Sequence, residues 1–223
     1  MDPLNRFSSR VQDYVKYRPG YPSEIAGFMA KTCSLTPTSI IADVGSGTGI
    51  FSELLLRNDN NVFGVEPNQA MRAAGEELLR TYPKFTSIDG SAESTTLQDQ
   101  SVDLVTAAQA WHWFDRLLAR KEFQRILRPN GWVILIWNER RLASTGFLKD
   151  YEEVLLKYGT DYKEVRHENV EPEIASFFEP NHFQFASFDN NQHLELDGFL
   201  GRVFPRRTLL NRAIPFTNRW SQI

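Results

Sequence analysis

The chain has 223 residues, 41% of them hydrophobic and 24% charged, and a formal net charge of −3. So balanced a surface offers no general attraction for nucleic acid or anionic membrane, and a chain of this length buries roughly 70% of its unfolded surface, enough for a core without disulfide or metal. Cys33 is the single cysteine, so an internal disulfide framework is excluded; no apolar run reaches signal-peptide or membrane-spanning length, and the expectation is a cytoplasmic protein.

Residues 1–39 read as helices on either side of the break YRPGYPSE. From Ile40 onward, short β-branched apolar runs alternate with longer amphipathic ones, as a parallel sheet covered by helices requires. SIIADVG is the first strand, and IFSELLLR follows as a helix with Leu54, Leu55 and Leu56. NVFGVEP is the second strand, ended by Pro67, and NQAMRAAGEELLRTYP the second helix, with Asn68 placed as its N-cap. KFTSIDGSAE supplies the third strand and its loop, SVDLVTAAQA the fourth strand. FDRLLARKEFQRIL is a helix capped by Asp115, RPNG breaks it, and WVILIWNE is the fifth strand.

Beyond that strand, FLKDYEEVLLKYG reads as a helix followed by an acidic segment. The alternation in HFQFASFDNNQHLEL predicts a sixth strand, whereas RVFPRRTLLNRAIPFTNRWSQI shows no pattern for a seventh. Its five arginines without an acid read as a solvated face. The fold class expected is α/β, a doubly wound, mostly parallel, Rossmann-like sheet whose final strand is not evident. Residues 1–39 form a lid, 40–140 a binding core, and 141–223 a cap that completes the sheet.

The turn between the first strand and its helix carries Gly45, Gly47 and Gly49. A dinucleotide fingerprint needs G-x-G-x-x-G, and here the sixth position is Ile50, which crowds helix against strand. No Gly-Lys-Ser/Thr follows, so a phosphate-cradling loop is absent too. Asp43, two residues before Gly45, would repel a pyrophosphate but suits a cationic ligand, or one bearing an ammonium group held through water or backbone. Glu66 closes the second strand, where a carboxylate can accept two bonds from ribose hydroxyls, each contributing about 1.5–3 kcal/mol. A ribose, an ammonium and no phosphate describe S-adenosylmethionine.

IIADVGSGTGIFS, VFGVEPNQAMR, IDGSAEST, SVDLVTAAQAWHWFD and ILRPNGWVILIWNE together resemble, in order and spacing, the motifs of class I S-adenosylmethionine-dependent methyltransferases, closest to the small-molecule branch called type 11. YVKYRPGYP is similar to that branch's lid. The resemblance covers residues 7–140 and implies the Rossmann-like methyltransferase fold. It places Gly45, Ser46 and Gly47 under the methionine half of the cofactor, with Asp43 orienting the turn. Glu66 becomes the ribose carboxylate, Pro67 and Met71 the adenine lining, and Met71 fits the core equally well. Where the family pattern often has aspartate this chain has Ser91, which offers a hydroxyl beside the Ala92 backbone. Gln109 can bond the cofactor's amino-acid end or the acceptor.

His112, between Trp111 and Trp113, is the candidate general base; its alternative is a packing and capping role. The two tryptophans either face the sulfonium or belong to the core. Arg18, on the lid, pairs with the cofactor carboxylate or sits on the surface. His167, His182 and His193 show no metal-ligand spacing.

The function expected is methyl transfer to a small-molecule acceptor by in-line displacement, without nucleic-acid partner, metal or membrane span. A protein that binds the cofactor without transferring is the alternative. A nucleic-acid methyltransferase is disfavoured by overall charge and by AAQAWH standing where an NPPY-type signature belongs.

Overall fold

The computed structural model describes residues 18–139, 141–142, 144–158, 171–180, 183–192 and 195. His167, His182 and His193, and the C-terminal arginine-rich stretch, lie outside the described residues. The chain divides into two compact units, Met1–Glu139 with Glu171–His193 and Arg140–Val170 with Leu194–Ile223.

Five strands form one sheet in the first unit: β1 (Ile40–Val44), β2 (Asn61–Val65), β3 (Phe85–Ile88), β4 (Val102–Ala108) and β5 (Leu127–Ile136). Their order is β3-β2-β1-β4-β5 and every pairing is parallel. β1 and β4 read as nearly continuous buried runs because both their faces are covered. Strand order reverses between β1 and β4, which opens a crevice at their carboxyl ends.

The helices of this unit are α1 (Glu24–Thr32), α2 (Ile50–Arg57), α3 (Gln69–Leu79) and α4 (Arg116–Ile126). Ile25 and Met29 of α1, and Phe51, Leu55 and Leu56 of α2, join Ile41, Val62, Leu79 and Leu104 in one buried cluster. Each such side chain contributes about 1.5–3 kcal/mol by leaving water. Thus part of the segment expected as a lid, α1, packs into the sheet's core. Both predicted caps form: the Asn68 side chain accepts from Met71 N at 3.0 Å, and Asp115 accepts from Leu117 N and Leu118 N, each at 3.1 Å.

Three elements differ from expectation. The chain leaves α4 at Leu127 rather than within RPNG, and Leu127 pairs directly with Val102. Register then slips, so that Leu104 faces Trp132 and Arg128–Gly131 bulges out of the ladder. The acidic segment contains a further helix that periodicity did not suggest, Glu171–Phe178. Its Phe177 meets Trp111 and Phe123 edge-on at 5.9 and 6.2 Å, and Glu173 pairs with Arg116 at 2.7 Å.

The predicted sixth strand is not formed at residues 183–192, which pair with no strand. The alternating phenylalanines there find rings instead: Phe183 stacks on Phe178 at 5.8 Å and Phe188 meets Phe28 at 5.6 Å. In the second unit, the helix expected after β5 spans Gly146–Tyr158, with Tyr151, Glu152 and Leu155 buried. In chain order these two helices are α5 (Gly146–Tyr158) and α6 (Glu171–Phe178). No helix among the described residues is long and apolar enough to cross a membrane.

The loop from Asp89 to Gln100 is tied to α4. Glu122 accepts from Thr95 N at 2.7 Å and Thr95 Oγ1 at 2.5 Å, and from Arg125 at 2.7 and 2.8 Å. The Arg125 guanidinium, helped by Thr95, holds the Glu122 carboxyl at about 2 against its ordinary 4.5, and burial opposes this only in part. A carboxyl lowered on folding stabilises above its unfolded pKa and loses that contribution as pH falls toward its folded one. Glu122→Gln is therefore expected to lower Tm at pH 7 by about 3–8 °C. That difference should shrink steadily between pH 4.5 and 2; thermal unfolding across this range checks it.

Candidate functional site

The site grows from the carboxyl end of β1. Gly45 N and Ser46 N donate to Val65 O at 2.8 and 3.1 Å, so the turn hooks over the end of β2. Gly45, Gly47 and Gly49 take φ of 70°, 58° and 81°, the left-handed region that side chains resist. Space enforces the choice as well: a Cβ on Gly45 would lie 2.4 Å from the Ala110 Cβ, and one on Gly49 2.5 Å from Leu79 Cδ1. Met71 is buried behind Gly47, its Cε 3.4 Å from where a Gly47 Cβ would stand.

Asp43 lies under this turn with no solvent exposure. Its two oxygens accept from Ser52 Oγ on α2 at 2.6 Å and from Thr106 Oγ1 on β4 at 3.0 Å. Burial pushes its carboxyl up from 3.8 to about 6, with the nearby Glu66 charge adding to the rise and the two hydroxyls opposing it. Its oxygens tie β1, α2 and β4 together beneath the turn.

Glu66, 9% exposed, is held by backbone at both oxygens: Gly47 N donates to Oε2 at 2.9 Å and Asn68 N to Oε1 at 2.8 Å. Burial raises its pKa, while those two N–H groups and the Arg72 charge oppose the rise. Arg72 donates to Glu66 O at 2.8 Å and pairs with Asp89 at 3.0 Å, joining the ends of β2 and β3. Pro67 is exposed beside them. Ser91 and Ser94 exchange backbone bonds at 3.0 and 3.2 Å, which folds the loop so that Ala92 is buried and Ser91 half-buried.

Past β4, Gln109 donates its side-chain amide to Asn138 O at 3.0 Å. His112 is the middle residue of a single 3₁₀ turn, Trp111–Trp113, and its ring centroid lies 4.7 Å from that of Trp113. Trp111 is fully buried, with the Arg116 guanidinium 4.6 Å over its ring. It is a core residue whose cation partner comes from the protein itself, while Trp113 remains exposed. Arg18 is half-buried, in the segment leading to α1. Among the described residues, no group of three or more His, Cys, Asp and Glu side chains could hold a metal ion.

The profile of a methyltransferase domain matches residues 42–135, from β1 to β5. An uncharacterized methyltransferase of Mycobacterium bovis is 31% identical over 188 residues, 84% of this chain and 73% of its own length. The chain belongs to the class I S-adenosylmethionine-dependent methyltransferases. A methyltransferase-like protein of Schizosaccharomyces pombe is 33% identical over 71% of this chain, which spans only 60% of that relative. Among solved structures, a protein of Anabaena variabilis assigned as a methyltransferase of an antibiotic biosynthesis pathway superposes with a TM-score of 0.56 at 30% identity, covering 74% of this chain and 62% of its own. A protein of Anaeromyxobacter dehalogenans assigned as a type II methyltransferase gives a TM-score of 0.60 at 25% identity, covering 86% and 80%.

In this methyltransferase, residues 43–47, 66–71, 91–92 and 109–112 all stand at the carboxyl ends of the strands. Sequence reading missed Ser52, Arg72, Thr106 and Asn138. One of them carried a signal: Thr106 is a hydroxyl inside the apolar run Leu104–Ala108.

Because Asp43 binds its proton more tightly in the folded chain, stability falls as pH rises from about 4 to 6, by up to ~3 kcal/mol. Asp43→Asn should therefore gain stability relative to wild type across that interval and hold the gain above it. Urea unfolding of both proteins at pH 4, 5, 6 and 7 checks the direction.

Proposed function

We propose that the chain transfers a methyl group from S-adenosylmethionine to a small-molecule acceptor by in-line displacement. The observation that carries this reading is Glu66. It closes β2 beside the glycine turn, and each of its oxygens accepts one backbone N–H. A carboxylate has about four acceptor positions, so one on each oxygen is left for a pair of ribose hydroxyls. The close approach of Gly45 to Ala110 leaves the turn's backbone, rather than a side chain, to face a ligand. The residues present thus fit the cofactor.

When bound, S-adenosylmethionine supplies an electrophilic methyl on a sulfonium. The protein's part is to align and to exclude water, and orientation of this kind accounts for as much as about 7–11 kcal/mol of a barrier. Gly45, Ser46 and Gly47 run under the methionine half, and Asp43 acts through the turn. Pro67 borders the adenine, with Met71 behind the turn, while Ser91 and the Ala92 backbone meet its edge. Arg18 pairs with the cofactor's carboxylate. Gln109 fixes the end of β4, and His112 takes the proton of an oxygen or nitrogen acceptor, a step worth about 10²–10⁴-fold. The Anabaena variabilis protein's place in an antibiotic biosynthesis pathway supports a small-molecule acceptor, and the single cysteine supports a reducing, cytoplasmic setting.

Calorimetric titration tests the reading. Wild type is expected to bind S-adenosylmethionine and S-adenosylhomocysteine but not NAD, and Glu66→Ala to weaken both by at least about tenfold. Equal affinity in the variant would remove Glu66 from the ribose.

A further inference from the structure

Three segments far apart in the chain meet at one carbonyl oxygen. Asn138, two residues past β5, donates its amide to Gly20 O at 3.3 Å. Asn190 donates to the same oxygen at 2.9 Å and to Asn138 Oδ1 at 2.8 Å. From the other side, Gln109 reaches Asn138 O with its side chain and Ile136 O with its backbone N–H, at 3.0 and 2.9 Å. Gln109 holds φ at 56° to do so, a conformation that a side chain adopts only when its surroundings impose it.

This clasp is not core packing. Gly20 and Asn190 are exposed, and among the described residues nothing lies within 4 Å of where a Gly20 Cβ would stand. Asn190 is brought to it by the rings on its own segment, Phe188 against Phe28 and Phe183 against Phe178. Its bonds are neutral amide–carbonyl contacts that water can replace, so they fix position and contribute little to global stability. What they fix is the backbone two residues after Arg18, at the carboxyl ends of β4 and β5, the end of the sheet where the glycine turn and Glu66 stand.

We propose that Asn138 and Asn190 are positioning residues: they hold the Arg18–Gly20 strap so that Arg18 meets the cofactor's carboxylate, and through Gln109 they tie that strap to the end of β4. This rests on the methyltransferase reading above. Sequence separation hides the device, because Asn138 and Asn190 both lie in runs that read as strands, WVILIWNE and HFQFASFDNNQHLEL, with nothing local to join them.

The test uses the full chain with Asn138→Ala, Asn138→Asp and Asn190→Ala, S-adenosylhomocysteine as the probe, and two readouts. Asn138→Asp keeps the shape but replaces the donor with a carboxylate facing Gly20 O, so it should behave like the alanine variants. Amide hydrogen exchange over residues 18–28 is expected to quicken in all three while Tm stays within about 2 °C. Calorimetric affinity should fall about 3- to 10-fold, and adding either alanine change to Arg18→Ala should cause no further loss. Unchanged exchange in the variants, or losses that add to that of Arg18→Ala, would overturn the proposal. If wild type itself failed to bind the probe, the cofactor reading would fall, and exchange alone would still decide whether the clasp holds the strap.

Discussion

A carboxylate with no solvent exposure lies beneath the glycine turn. Asp43 accepts from Ser52 on α2 and Thr106 on β4 while its own backbone runs in β1. Three elements around the crossover crevice are thereby fixed to one another beneath a turn whose glycines hold left-handed conformations. An unpaired buried carboxylate would be prohibitive. Two hydroxyls and a raised pKa make this one tolerable, and the cost that remains is the kind expected where local stability is given up for a shaped site.

From that point the site extends outward by backbone rather than by side chain. The turn hooks to β2 through Val65 O, and Gly47 N then holds Glu66, which Asn68 N holds from the other side. Arg72 carries the connection to β3, and the Glu122–Thr95 bonds carry it from the β3 loop to α4. The ends of β1, β2 and β3 are thus braced in turn, and the loop after β3 to α4. A carboxylate oriented by two amides loses little freedom when a ligand arrives, and such preorganisation is what alignment-driven catalysis demands.

Much of this was legible in the residues. The alternation of β-branched runs and amphipathic stretches marked all five strands, and Asn68 and Asp115 marked two helix starts, because those signals are local. The ordered motifs from the glycine turn to the fifth strand pointed to the methyltransferase family for the same reason. The failures were tertiary. Alternating phenylalanines at 183–188 imitate a strand, but their rings are satisfied by Phe178 and Phe28, so no ladder is needed. The helix at 171–178 owes its place to Phe177 meeting Trp111 and Phe123, partners more than fifty residues away. Trp111, which resemblance left between cofactor and core, is decided by Arg116 covering its ring. The asparagine clasp joins residues 20, 138 and 190, and nothing in any of the three stretches points to the other two.

The most direct measurement is a crystal structure of the protein grown with S-adenosylhomocysteine. The account predicts both ribose hydroxyls within hydrogen-bond distance of the Glu66 carboxylate, with the Gly47 N–H bond to that carboxylate retained and the amino-acid end of the ligand over Gly45. A nucleoside bound elsewhere, or a ribose that does not touch Glu66, would contradict it.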